Sequence, residues 1–239
     1  MVARIGFKAP NLVVSAWFGG QPTNIDREIG NVVLVEVFQV NCPGCFMYAI
    51  PDAIRIYQKY QNKGVKVIGL ATAFEDYDKN TIDNLKLLLE RQEVIGATRD
   101  SLRQSGQLLD GKRLRYRIPF PVAVDSLKKE THQVSKSRAL NFIESATPEF
   151  SSYDEKYKLM LIERVKKYFE SRQYYAETFE EYRLQGTPST ILIDKQGRLR
   201  HVTFAQYRSH EGIVEQLLEQ KEQVKEEKKE EVNEEKEIE

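Results

Sequence analysis

The chain's two cysteines, Cys42 and Cys45, fall within Asn41-Cys42-Pro43-Gly44-Cys45. Thiols so close can join as a disulfide and part again, since two intervening residues let the sulfurs meet within one helical turn. Thiol exchange runs through the thiolate, and a free cysteine, with a pKa of about 8.5, is mostly protonated at neutral pH. A helix N-terminus shifts that balance, because its unpaired amides and dipole favour an anion. The motif is expected at such a place. Residues 32–38 form a nearly continuous apolar run, the pattern of a buried central strand. Residues 46–60 then carry Met47, Ile50, Ile54 and Tyr57 at helical spacing. On this reading Cys42 is the exposed nucleophile, and Cys45, a turn further in, resolves the mixed disulfide. A disulfide closing so short a loop adds little stability, which favours a reactive pair over a structural one. Half of a metal site is the competing use. His132, His201 and His210 are the candidate nitrogen ligands, and none stands at ligand spacing from the cysteines, so no metal is expected.

The surrounding pattern is strand alternating with helix. After Gly64, residues 65–71 read as the next buried strand, completing a βαβ unit with a right-handed crossover. Residues 81–93 form a leucine-bearing helix, followed by a polar stretch with Gly96, Gly106 and Gly111. A third strand is expected at 120–124, entered through Pro119 and Pro121. Strands at 189–193 and 199–204 flank Asp194-Lys195-Gln196-Gly197, whose glycine suits a tight hairpin. Ser209 is placed to cap a last helix presenting Ile213, Val214, Leu217 and Leu218. Such alternation argues for a mixed sheet covered by helices.

Residues 126–181 interrupt it and read as a helical insertion. Thr147-Pro148-Glu149 resembles a helix start, and Ser152 to Glu155 a capping box. Tyr153, Tyr157, Met160, Leu161, Val165, Tyr168 and Phe169 then share a face expected to pack the insertion onto the domain. The domain is expected to span 1–218, with 219–239 a charged tail, helical or disordered.

Composition narrows the class. Apolar residues at 41% and charged residues at 30% describe an ordinary globular protein, with no run near the roughly 18 apolar residues of a membrane span. Net charge is zero, although residues 221–239 hold nine Glu and five Lys. The remaining body is only mildly basic, so neither nucleic acid nor a membrane is expected as a partner. The opening Met1-Val2-Ala3-Arg4-Ile5-Gly6-Phe7-Lys8 has no secretory or lipidation pattern, and the expected compartment is the reducing cytoplasm.

Late in the chain, Gly186-Thr187-Pro188-Ser189-Thr190 leads into Ile191-Leu192-Ile193-Asp194. With the strand–CxxC–helix unit upstream, the sequence resembles the thioredoxin superfamily, and within it the redoxin and TlpA-like thiol–disulfide oxidoreductases. The resemblance covers residues 5–75, 118–125 and 182–218. It implies an α/β thioredoxin-like fold, a central mixed β-sheet flanked by helices, with the long insertion ahead of a cis-proline loop. It implies a cis Thr187–Pro188 bond facing the disulfide, with Thr187 and Pro188 docking substrate beside Asn41, Pro43 and Gly44. Glu36, six residues before Cys42, stands where thioredoxins carry a buried aspartate, which makes it the expected base for Cys45. Partners would be a protein disulfide or thiol substrate and a separate electron donor, with the cysteine pair as the redox centre and no further cofactor.

Three departures stand out. Asn41 replaces the family's tryptophan, Pro43-Gly44 replaces Gly-Pro, and Pro51 lies six residues after Cys45 instead of five. A thiol peroxidase of the sister peroxiredoxin branch would need a proline and a hydroxyl where Val35 and Gln39 stand. A third reading is a redox-regulated interaction module using the tyrosine-rich insertion.

Overall fold

The computed structural model describes residues 2–129, 136–205 and 208–220. Val14–Phe18 (β1), only partly buried, is an edge strand, whereas Val32–Phe38 (β2) is buried at every position. A π-turn, Cys45–Ala49, leads into Ile50–Tyr60 (α1), and Val65–Ala71 (β3) then runs parallel to β2. Ile82–Arg91 (α2) and Gly96–Gln104 (α3) follow, then a small hairpin of Leu108–Leu109 (β4) and Arg113–Leu114 (β5). Val122–Asp125 (β6) pairs parallel with β3 and antiparallel with β1. Next come Leu127–Lys129 (β7), Lys136–Ala146 (α4), Glu155–Ser171 (α5), Tyr174–Ala176 (β8) and Glu177–Glu181 (α6). Ser189–Ile193 (β9) and Leu199–Phe204 (β10) complete the sheet, and Glu211–Glu219 (α7) follows. Six strands form one mixed sheet in the order β1-β6-β3-β2-β9-β10, flanked by helices as in the thioredoxin-like fold.

Because strand side chains alternate, β2 feeds two cores. Val32, Leu34 and Phe38 point toward α1 and α7, joining Cys45, Phe46, Ile50, Val214 and Leu217. Val33, Val35 and Val37 face the other way, with Ile68, Ile191, Phe179 and Tyr182. Among the described residues no helix is long and apolar enough to cross a membrane.

Strands are found where apolar runs placed them, the third shifted to Val122–Asp125. The polar glycine-bearing stretch holds more structure than expected, namely α3 and the β4–β5 hairpin. In the insertion, β7 and β8 pair antiparallel and tie its two ends together. Helices α4 and α5 enclose a small core of their own, Ala139, Ile143, Phe150 and Ile162. The expected capping box is absent, because the Ser152 hydroxyl donates to the Glu149 carbonyl. Asp154 caps α5 instead, accepting from the Tyr157 amide at 3.0 Å. The buried face includes Ile162 and Phe169, while Tyr157 and Met160 of the expected stripe are exposed. The charged tail lies outside the described residues from 221 onward, as does His132.

Asp125 joins the insertion to the sheet. Its carboxylate accepts from the amides of Thr178 at 2.9 Å and Phe179 at 3.1 Å, capping α6, and from the Thr72 hydroxyl at 2.9 Å. Burial pushes this carboxyl up to about 6 despite those bonds. Asp125→Ala strands three buried donors, so it should cost on the order of 3 kcal/mol. Urea unfolding should show a correspondingly lower midpoint with a slope close to that of the wild type.

Candidate active site

The chain turns helical at Pro43, directly after Cys42. The Cys45 amide donates to the Cys42 carbonyl at 3.2 Å and lies 3.3 Å from its sulfur. Cys42 thus stands where a helix cap would. The two sulfurs are joined in a disulfide, with the Cα atoms 5.4 Å apart. Cys42 keeps 8% of its surface exposed and Cys45 none. The Thr187–Pro188 peptide bond is cis. A Cβ added at Gly44 would lie 3.6 Å from Pro188 Cδ, so segments some 140 residues apart meet at the motif.

Remote side chains hold the loop that enters the motif. The Asn41 amide donates to Asn80 Oδ1 at 2.9 Å, its Nδ2 to Asp76 at 2.6 Å, and its Oδ1 accepts from the Ala97 amide at 2.8 Å. Asn41 therefore caps α3, whose own N-cap residue, Ile95, offers no side-chain bond. The approach is so close that a Cβ at Gly96, which has φ +54, would come within 2.3 Å of Asn41 Oδ1. One residue earlier, the Val40 carbonyl accepts from the buried Thr98 hydroxyl at 2.9 Å.

The extra residue between Cys45 and Pro51 is taken up by the π-turn. The Ile50 amide reaches back to the Cys45 carbonyl, and the next residue, Pro51, has no N–H to offer. The Phe46 carbonyl is thereby left without a helical partner. Tyr116 supplies one, its hydroxyl donating at 2.8 Å, and burial pushes that phenol well above its ordinary range.

Glu36 lies in the middle of β2 on the side that faces α1 and the cysteines, almost fully buried. Thr190, its neighbour across β9, donates to Oε2 at 2.8 Å, while Oε1 has no partner. Burial pushes the carboxyl up to about 8; the Thr190 bond works against the rise, and the negative charge of Asp52 adds to it. For Asp52 itself burial opposes the charge, yet hydrogen bonds from His210, Arg55 and Ser209 hold its carboxyl well below the usual range. His210, whose amide donates to Asp52 at 3.0 Å, also lies 2.8 Å from the Thr203 hydroxyl. The Ser209 hydroxyl accepts from the Glu211 amide at 3.0 Å at the start of α7.

Among the described residues no group of three or more His, Cys, Asp or Glu is placed to hold a metal ion. The arrangement is a redox-active cysteine pair beside a buried acid. No protein-family model matches the sequence. No curated protein matches it either. Solved structures do. The thioredoxin-like superfamily protein SPOA0173 is 25% identical, with a TM-score of 0.58, covering 90% of this chain and 97% of that one. A thiol-disulfide isomerase from Corynebacterium glutamicum is 27% identical, with a TM-score of 0.54, covering 88% of this chain and 95% of that one.

These likenesses overturn the cytoplasmic expectation, since thiol–disulfide exchange proteins of the matched kind typically work outside the cytoplasm. That expectation had rested on the opening residues, and a first segment without a leader pattern does not fix a compartment. Fold, disulfide and relatives agree on the chemistry: the chain has the thioredoxin-like fold, is similar to proteins of the thioredoxin-like superfamily, and is a thiol–disulfide oxidoreductase.

Proposed function

We propose that this chain exchanges disulfides with protein substrates through Cys42-Pro43-Gly44-Cys45, with Cys42 attacking and Cys45 resolving. The observation that carries this reading is the asymmetry of the pair. Cys42 retains surface at the start of a helix, while Cys45 has none and sits in the apolar core. In the dithiol form, the Cys42 thiolate attacks a substrate disulfide and expels one substrate thiolate, leaving a mixed disulfide. Cys45 then loses its proton and attacks the Cys42 sulfur. The second substrate thiolate leaves, and the dithiol's two electrons have passed to the substrate. A separate dithiol donor returns the pair to its reduced form, and the same steps run backward oxidise a substrate dithiol.

Glu36 handles the buried proton. In the disulfide form its carboxyl holds a proton at neutral pH, ready for the Cys45 sulfur when that becomes the leaving group. In the dithiol form it takes the proton back. A carboxyl tuned close to the working pH suits both directions. Thr187 and Pro188 frame the other side of the motif, so a substrate strand would lie across Pro188, Pro43 and Gly44, and Asn41 positions the loop that carries Cys42. The unit that does this is residues 1–218, with 126–181 inserted.

Cys45→Ser should trap substrates as mixed disulfides on Cys42, and Cys42→Ser should abolish the reduction of insulin disulfides by dithiothreitol above background. Trapping on neither cysteine, with wild-type insulin turnover equal to that of the mutant, would sink the proposal. Glu36 makes a separate prediction. An unfolded glutamate releases its proton near pH 4.5, whereas the folded one keeps it up to about 8, so stability falls as pH rises across that window. Asp125 contributes in the same sense only up to about 6, so among the carboxyls the range above 6 belongs to Glu36; His201, held below its ordinary 6.5 by burial, opposes it only at the lower end of that range. Thermal and urea unfolding there should show a loss approaching about 1.4 kcal/mol per pH unit, flattened in Glu36→Gln.

A further inference from the structure

Beyond the carboxyl ends of β3 and β6 lies a cavity of about 330 Å³ that the exchange chemistry does not use. Val40, two residues before Cys42, lines it together with Ala71, Ala73 and Leu85. Leu127 and Tyr174, on the paired strands at the base of the insertion, line it from the other side. Its volume falls within the range that holds small ligands or a large side chain, and open α/β sheets take ligands at this end of their strands.

The walls decide what chemistry fits. Most of the polar side chains around the cavity are already engaged within the protein. Asp125 accepts three bonds, and the Tyr77 hydroxyl lies within hydrogen-bond distance of the carbonyls of Phe74 and Tyr174, between which its one proton is shared. Asn80 holds the Asn41 amide and the Glu75 carbonyl, and the Thr81 hydroxyl caps α2 through the Asn84 amide. A polar guest would have to share groups that already hold the fold together, and water needs two or more free ones to be held. At the lip, Ile82 is 43% exposed and Leu127 39%, apolar surface in want of cover.

The geometry points to an apolar side chain of the protein substrate, flanking its reacting cysteine, as the occupant of this cavity. This rests on the proposed exchange with protein substrates. Continuity with the reactive loop favours that occupant: Val40 leads directly into Asn41-Cys42, and the Asn41 amide is bonded to Asn80 in the cavity wall. A side chain tethered to a cysteine already seated on Cys42 arrives at high effective concentration, an advantage that a free apolar molecule lacks. The cavity would thus select substrates by the residue beside the cysteine, giving the insertion a share in specificity.

The test uses the reduced full-length protein and peptides whose single cysteine carries a thionitrobenzoate disulfide. Serine and leucine are compared at each of the three positions on either side of that cysteine, and release of the coloured thiol is followed. At one or more positions the leucine peptide should react with a kcat/KM roughly tenfold higher. Leu127→Asp and Ile82→Asp should each bring that ratio to about two or less. Leu109→Asp, at an exposed leucine on the β4–β5 hairpin, should leave it in place. In the mixed disulfide trapped on Cys45→Ser, the leucine methyls of the favoured peptide should show magnetic contacts to Leu85 and Ala73.

Ratios near one at every position, with both peptides reacting, overturn the cavity assignment and leave the exchange chemistry standing. A ratio kept in both lip variants, or lost equally in Leu109→Asp, overturns it too, as does a trapped peptide without contacts to the cavity. Wild-type reaction no faster than that of Cys42→Ser with every peptide removes the exchange reading, and the cavity assignment with it.

Discussion

The reactive loop has its place because one asparagine commits both ends of its side-chain amide to partners far away in sequence. Asn41 binds the segment after β3 through Asp76, and its backbone amide binds the same segment through Asn80. It then caps the start of α3 by accepting from the Ala97 amide. Three pieces of chain are thereby fixed around the two residues that precede Pro43, where the helix begins. Gly96 is the other half of this constraint, for any side chain there would collide with the amide oxygen that caps the helix. Directionality matters here as much as energy. A thiol at a helix start is useful only if the strand delivers it to the same place each time, and a loop held merely by apolar packing would leave that position soft.

The energetics of β2 set the second condition. A strand buried on both faces has no solvent for a carboxyl, so Glu36 in its centre is destabilising unless it keeps its proton or finds a partner. It has Thr190 on one oxygen and nothing on the other, and it holds the proton to about pH 8. Sixteen residues on, Asp52 behaves oppositely, because His210, Arg55 and Ser209 supply donors. The two acids feel each other's charge and sit in opposite protonation states at neutral pH. Donor supply decides between them: where several donors surround a half-buried acid it is charged, and where one hydroxyl meets a fully buried acid it is neutral.

How far the sequence foretold this depends on where each constraint originates. Runs such as 32–38 and 65–71 announce buried strands because burial on both faces demands apolar residues at every position. The cysteine spacing, Glu36 within such a run, and Gly186-Thr187-Pro188 before a late strand likewise carry their meaning locally. Helices α3 and α6 do not. Their stabilising caps come from Asn41 and Asp125, more than fifty residues upstream in each case, so no cap signal stands next to them. Asn41 itself, read from sequence as part of a substrate-facing surface, has its side chain engaged inward by partners that only the folded chain brings close. The stripe on α5 illustrates another limit. Periodicity finds an apolar face, but which residues of that face are covered depends on what packs against it: Ile162 meets Ala139, Ile143 and Phe150, while Tyr157 and Met160 are exposed.

The π-turn from Cys45 to Ala49 has a consequence for how such chains are compared and recombined. It inserts one residue between the disulfide and the helix proline while preserving the packing beyond, so two landmarks of the fold are out of phase by a single step. An alignment anchored on the cysteines and one anchored on Pro51 disagree, and the gap that reconciles them belongs inside these five residues. The same phase slip makes the reactive motif a poor module to graft alone. Moved into a helix of uniform pitch, the four residues from Cys42 to Cys45 would arrive without the carbonyl that Tyr116 grips, and the side chains following them would be rotated by about 100° about the axis.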